Sequence, residues 1–206
     1  METILGIRCR DFVMLATDMS NTTSIMVMKT DEKKIYPVSD RIIMAVTGGE
    51  GDAHQFAEYI VKNMQLYKMR NGYELKPKPT SHFVRQNLAD YLRSQTPYQV
   101  NLMLGGYDPD EGGQLFFMDY LAAYQEVPYG VHGYGGLMAV SILDRYCRPD
   151  MSIEEAYGVL EKCIAEVQKR LIINLPNFHV KVVGKDGVQE LKNITSKDLA
   201  SKGADL

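Results

Sequence analysis

The sequence lacks the marks of several functional classes. Cysteine is scarce and odd in number: Cys9, Cys147 and Cys163, none close to another. That spacing supports neither a disulfide framework nor a Cys-x-x-Cys zinc site, and it points to a reducing compartment, cytosolic or nuclear. All three read as ordinary thiols. No apolar run approaches the ~20 residues needed to span a bilayer. Met1 is followed by Glu2, without a basic or leader-like apolar region, so secretion is not expected. Lysine and arginine total 23 against 26 acidic residues, a formal net charge of -3, which speaks against a basic nucleic-acid-binding face. The four histidines, His54, His82, His132 and His179, are scattered along the chain and suggest no shared metal site. The glycines from Gly48 to Gly51 are followed by no Gly-Lys-Ser/Thr, so a phosphate loop is not indicated. No cofactor, metal, nucleic acid or membrane partner is expected, and neither a solenoid-period repeat nor a low-complexity segment is visible.

What is present suits one substantial domain. The 206 residues are 45% hydrophobic and 24% charged, enough for a real core. Two apolar runs, Thr3 to Ile7 and Phe12 to Ala16, flank the polar tip Arg8-Cys9-Arg10-Asp11 and predict a β-hairpin at the start of the chain. Such a hairpin either carries chemistry at its first residues or serves as scaffold. Further strands are predicted at Ile35 to Val38 and at Ile42 to Val46, the latter running into a Gly-rich turn. Helical spacing then sets in from Asp52, with Phe56, Tyr59, Ile60, Met64 and Tyr67 on one stripe and Asn71-Gly72 as its stop. Thr80 or Ser81 is the expected cap of a second helix. Strands follow at Val100 to Gly106, Leu115 to Met118 and Tyr124 to Val127.

The stretch His132-Gly133-Tyr134-Gly135-Gly136 is expected to open a third helix. Ser152-Ile153-Glu154-Glu155 is a capping box for a fourth. A hairpin, Phe178 to Val183 and Val188 to Leu191 about the turn Lys185-Asp186-Gly187, closes the domain at residue 192. Residues 193–206 are polar and read as a loosely held C-terminal tail. Two helices, then two more, each pair between blocks of antiparallel strands, predict an α+β fold, a four-layer αββα sandwich.

Several blocks together resemble a known family. Lys68 to Leu75 (KMRNGYEL), Asn87 to Tyr107, His132-Gly133-Tyr134-Gly135 and Ser141 to Tyr146 (SILDRY) are similar to the beta subunits of the eukaryotic 20S proteasome, in particular the type-2 branch at the fourth beta-ring position. The likeness covers nearly the whole chain and weakens after Asn193. It implies the N-terminal-nucleophile hydrolase fold, which is the sandwich already expected. Active members of that superfamily use an N-terminal threonine, its own amine as base, a lysine nearby and a glycine N–H as oxyanion donor.

Carried over residue by residue, the resemblance puts Asp18 at the aspartate closing the first hairpin, Lys34 at the lysine and Gly48 at the oxyanion glycine. The nucleophile position falls on Glu2, preceded by Met1 in place of glycine. The serine before the third helix falls near Tyr134, and the aspartate and serine after the fourth fall near Leu171 and Asn174. Glutamate cannot perform the threonine's chemistry, so no catalytic residue is assigned.

The implied role is a non-catalytic structural subunit working in ATP- and ubiquitin-dependent protein degradation. Its implied partners are the neighbouring beta subunits of its ring, the opposite beta ring and the alpha-ring subunits, in stacked seven-membered rings, in cytoplasm and nucleus. The alternative is an active threonine peptidase processed to expose Thr3. A third reading is a free-standing small-molecule binder on the same fold.

Overall fold

The structure is a computed structural model that describes residues 2–23 and 26–202. The chain opens with β1 (Thr3–Arg8) and β2 (Phe12–Asp18), followed by the short pair β3 (Asn21–Thr23) and β4 (Met26–Lys29). Next come β5 (Ile35–Ser39), β6 (Ile42–Gly48), α1 (Glu50–Asn71), α2 (Pro77–Leu92), β7 (Val100–Asp108), β8 (Gly112–Met118), β9 (Tyr124–Glu126) and β10 (Tyr129–Gly133). The last part holds α3 (Gly136–Tyr146), α4 (Ile153–Arg170), β11 (Asn177–Gly184), β12 (Gly187–Glu190), β13 (Ile194–Thr195) and α5 (Ser196–Lys202). One sheet has the order β10-β1-β2-β11-β12 with β13 on β11, and the other runs β5-β6-β7-β8-β9, with all pairings antiparallel.

Alternation along the strands separates three apolar layers. In β2, Phe12, Met14 and Ala16 meet Leu143, Leu160 and Ile164 of α3 and α4, whereas Val13 and Leu15 point into the space between the sheets. In β6 the same rule sends Met44 and Val46 towards Phe56 and Ile60 of α1, and sends Ile43 and Ala45 inwards to meet Val13 and Leu15. Helices, sheet, sheet, helices: this is the αββα sandwich the element order predicts. Both faces of the central strands are covered, which explains why β1 and β2 read as unbroken apolar runs.

The local signals for helix ends hold where the side chains are committed to them. Ser152 accepts from the Glu155 N–H and the Glu155 carboxylate accepts from the Ser152 N–H, the reciprocal capping box. Gly72 ends α1 in the left-handed conformation, φ 76°, its N–H donating to the Lys68 carbonyl.

Three expectations need correction. First, α2 begins at Pro77, three to four residues before the hydroxyls expected to cap it. Proline's fixed φ suits the first helical position, and Thr80 and Ser81 lie inside the helix, bonding back to the carbonyls of Lys76 and Lys78. Second, His132 and Gly133 do not open α3; they end strand β10, which pairs with β1 from Thr3↔Gly133 to Ile7↔Tyr129. Two glycines in five residues conceal that strand, and the pairing overrides their low propensity. Third, the stretch after residue 192 is not a loose tail as far as residue 202. Ile194 and Leu199 are buried in the core beside α4, β13 pairs with β11, and the Thr195 hydroxyl accepts from the Asp198 N–H and donates to the Asp198 carboxylate at the start of α5. Two aliphatic anchors suffice to dock a segment whose composition is otherwise polar.

Candidate functional site

The site lies at the end of the sandwich where β1 begins. Residues two apart on a strand share a face. Glu2 therefore shares the side of Ile4, which packs between the sheets, and it reaches across to the second sheet. Its carboxylate is held at both oxygens. Oε1 lies 2.9 Å from Lys34 Nζ, and Oε2 accepts from the Gly48 N–H at 2.8 Å and from the Thr47 hydroxyl.

Lys34 precedes β5 and is almost completely buried, its side chain 7% exposed. Its ammonium donates to Asp18 Oδ2 at 3.0 Å and to the Ser20 carbonyl at 2.7 Å, besides facing Glu2. Asp18, fully buried at the end of β2, also accepts from the Thr3 N–H at 2.7 Å and the Ser20 N–H at 3.1 Å. One cation thus stands between two carboxylates, each carrying further donors. A buried charge is tolerable only when paired and hydrogen-bonded in this way.

The three titrating groups respond differently. Burial works against the charge of Glu2, but Lys34, Thr47 and the Gly48 N–H outweigh it and hold the carboxyl below its ordinary range. Burial likewise opposes the Lys34 ammonium, yet Asp18 and Glu2 together raise it above the ordinary lysine range. For Asp18, burial is the stronger influence and pushes the carboxyl up, against Lys34 and the Thr3 N–H.

Glycine is required at two places around this cradle. Gly48 has φ 145°, and a β-carbon there would lie 1.9 Å from the Gln99 carbonyl oxygen. Gly133 has φ 81°, and its β-carbon would lie 1.7 Å from the Glu2 carbonyl oxygen. Gly48 lets the end of β6 close on the backbone entering β7, and Gly133 lets the end of β10 close on the backbone entering β1.

Thr3 points the other way. Its side chain is fully buried on the α3/α4 side, where a β-carbon on Gly135 would meet its Oγ1 at 2.4 Å and Val167 Cγ1 at 3.0 Å. The Thr3 hydroxyl has no hydrogen-bond partner there.

Of the positions carried over in sequence, Glu2, Asp18, Lys34 and Gly48 come together. Tyr134 is exposed, Leu171 ends α4 half-buried and Asn174 is exposed; none of the three bonds to those four residues. Two contributors were missed. Thr47 is signalled only by being a hydroxyl next to Gly48, and Ser20 contributes a carbonyl, which no side-chain pattern can reveal. His132 lies buried, its Nε2 3.1 Å from the Leu102 carbonyl and its ring stacked on Phe117; His179 is buried with its Nε2 3.0 Å from Glu190. Among the described residues no cluster of histidine, cysteine and carboxylates is placed to hold a metal ion, and no helix is long and apolar enough to cross a membrane.

A family model for proteasome subunits matches residues 1–183. The chain is similar to proteasome subunit beta type-4 of Saccharomyces cerevisiae, 43% identical over 198 residues that make up 96% of this chain and 100% of that protein. It is similar to proteasome subunit beta type-2 of Oryza sativa subsp. japonica, 42% identical over 190 residues, 92% of this chain and 89% of the relative. Against proteasome subunit beta type-2-A of Arabidopsis thaliana the identity is 40% over 202 residues, 95% of this chain and 98% of the relative. With a family match over most of its length and these relatives along nearly all of it, the chain belongs to the proteasome beta subunit family.

Proposed function

We propose that this chain is a non-catalytic subunit of the proteasome core particle, contributing walls and contacts to a proteolytic chamber in ubiquitin-dependent protein degradation. One observation carries this reading: the Glu2 carboxylate fills the space between Lys34 Nζ and the Gly48 N–H. Those are the donors that an attacking nucleophile and a developing oxyanion would need. A carboxylate already bonded to both leaves neither free, and it is a poor nucleophile towards an amide.

The alternative, a threonine peptidase beginning at Thr3, meets a geometric obstacle. Thr3 sits on the opposite face of β1 from Lys34 and Gly48, and its hydroxyl is packed against Gly135. A one-residue register slip would be needed to turn it round, and such a slip would turn every other side chain of β1 as well.

The partners in this proposal are other beta subunits of the same and the opposite ring and the alpha subunits, in stacked seven-membered rings located in cytoplasm and nucleus. The test is intact-mass analysis of the chain in the native assembly, before and after a threonine-directed epoxyketone. Co-purification with other proteasome subunits, an N-terminus other than Thr3 and no adduct are the expected results. A chain that begins at Thr3 and gains the inhibitor's mass would overturn the non-catalytic assignment. Cell fractionation checks the location.

A further inference from the structure

His179 stands in an ionic row that joins the two sheets along one edge. It lies on β11, wholly buried, and its Nε2 is 3.0 Å from Oε1 of Glu190 on the edge strand β12. The same oxygen accepts from Lys33 Nζ at 2.8 Å. Lys33 belongs to the segment leading into β5, the edge strand of the other sheet. One carboxylate oxygen thus fastens two sheets through two donors of unlike kind.

Those donors respond differently to acid. An ionised carboxylate only accepts, so Nε2 carries the ring hydrogen and Nδ1 is the basic nitrogen. Nδ1 has no partner among the described residues, and neither has the hydroxyl of Thr17. These two residues lie directly opposite each other on the β2/β11 ladder, on the inward face they share with Leu15 and Val183. The β-carbons of such a pair are about 5 Å apart. A hydroxyl donates or accepts, so Thr17 suits the bare nitrogen and the protonated one alike.

The surrounding charges decide what moves. Burial holds the His179 ring below the ordinary histidine range, against Glu190 and with the help of Lys181 and Lys33; β2 faces the ring with the uncharged Thr17. Lys181, two residues along β11, is also the cross-strand partner of Glu190. A protonated His179 would be the third cation around that one carboxylate. The imidazolium is locked in the core, whereas the Lys33 side chain is 56% exposed and loses little by returning to water.

We propose that His179, Glu190 and Lys33 form an acid-operated latch: a proton taken from water at His179 Nδ1 draws the Glu190 carboxylate onto the imidazolium and frees Lys33, unfastening the lead-in to β5 from β12. The next residue is Lys34, the cation of the Glu2 cradle, so the latch controls how firmly the approach to that cradle is held. The folded chain disfavours the proton, so this contribution to stability is complete above the ordinary histidine range and declines as pH falls below it.

The test uses the native assembly. Deuterium exchange at the histidine C2 position, read peptide by peptide by mass spectrometry, gives each ring its own titration midpoint. The His179 midpoint is expected below the ordinary value of about 6.5. Backbone amide exchange at residues 32–35 and 187–190, corrected for the intrinsic effect of pH, should quicken about two- to fivefold between about pH 7.5 and about pH 5, as for the loss of one exposed ion pair. That step should follow the His179 midpoint. Lys33→Met should raise the midpoint and show the faster exchange already at neutral pH. His179→Gln, which keeps a donor towards Glu190 but takes up no proton, should abolish the acid step. A His179 midpoint at or above the ordinary range, or one unmoved by Lys33→Met, overturns the latch. So does an acid step that survives in His179→Gln, or equal corrected exchange at the two pH values in the unaltered chain.

Discussion

The backbone N–H of Gly48 donates to Oε2 of Glu2 across 2.8 Å, tying the residue just before β1 of one sheet to the last residue of β6 in the other. Lys34 receives the second oxygen of the same carboxylate. A single side chain therefore joins the two sheets at the end of the sandwich, with α1 beginning two residues beyond Gly48.

The pH dependence of that link has a definite sign. The folded state depresses the Glu2 carboxyl, so its contribution is present above the ordinary glutamate range and is lost as pH falls through the lower, folded value. The folded state raises Lys34, so its contribution is complete below the ordinary lysine range and is lost as pH rises through the higher, folded value. Asp18 acts oppositely to Glu2, because a carboxyl raised by burial favours folding at low pH. Thermal melts of the chain and of Glu2→Gln should differ by a constant amount near neutrality and converge as pH falls below the ordinary glutamate range. A difference that persists unchanged at lower pH would refute the assignment to Glu2 ionisation.

Thr3→Val should stabilise the fold by roughly 1 kcal/mol, because it removes a buried hydroxyl that has no partner while keeping the shape. Denaturant midpoints measure this. The variant should assemble normally, and peptidase activity of the assembly should be unaffected. A selective loss of activity would instead place Thr3 in the chemistry.

Gly133→Ala should be severe. Its β-carbon would fall 1.7 Å from the Glu2 carbonyl oxygen at a φ of 81°, so β10 and the start of β1 must separate. A cost above about 3 kcal/mol is expected from the combined clash and strain. Faster hydrogen exchange at Thr3 to Leu5, with β11 and β12 less affected, would locate the damage.

Val13→Asp should prevent folding and incorporation altogether. Val13 is wholly buried between the sheets, and a carboxylate there would have no paired cation beside it. Normal assembly of this variant would show that the inter-sheet layer has been misplaced.

The three thiols should react slowly with iodoacetamide in the native chain. Burial pushes Cys9 up to about 11, and Cys147 and Cys163 up to about 12, leaving little thiolate at neutral pH. Mass-resolved labelling with and without denaturant checks this. Rapid native labelling of Cys163, buried against the Ala139 carbonyl, would contradict it.

The sequence made the architecture legible where burial is symmetrical. The unbroken runs of β1, β2 and β6 are strands covered on both faces, and the Ser152–Glu155 box and Gly72 mark helix ends by local chemistry alone. It concealed β10, whose pairing with β1 is long-range, and the docking of residues 194–202, which depends on Ile194 and Leu199 meeting a core assembled from distant elements. The site was half legible. Asp18, Lys34 and Gly48 were recoverable by resemblance, whereas the grip of Thr47 on Glu2 and of the Ser20 carbonyl on Lys34 depends on how the end of β6 and the turn after β2 are brought together.

The alternation along β1 limits how such a chain can change. Glu2 and Thr3 differ in parity, and β1 is laddered on both sides, to β2 and to β10. Trimming the chain by one or two residues moves the terminus but leaves the parity of every remaining side chain as it was. A hydroxyl can reach Lys34 only by replacing Glu2 itself, and that same replacement removes the anion that now shares Lys34 with Asp18.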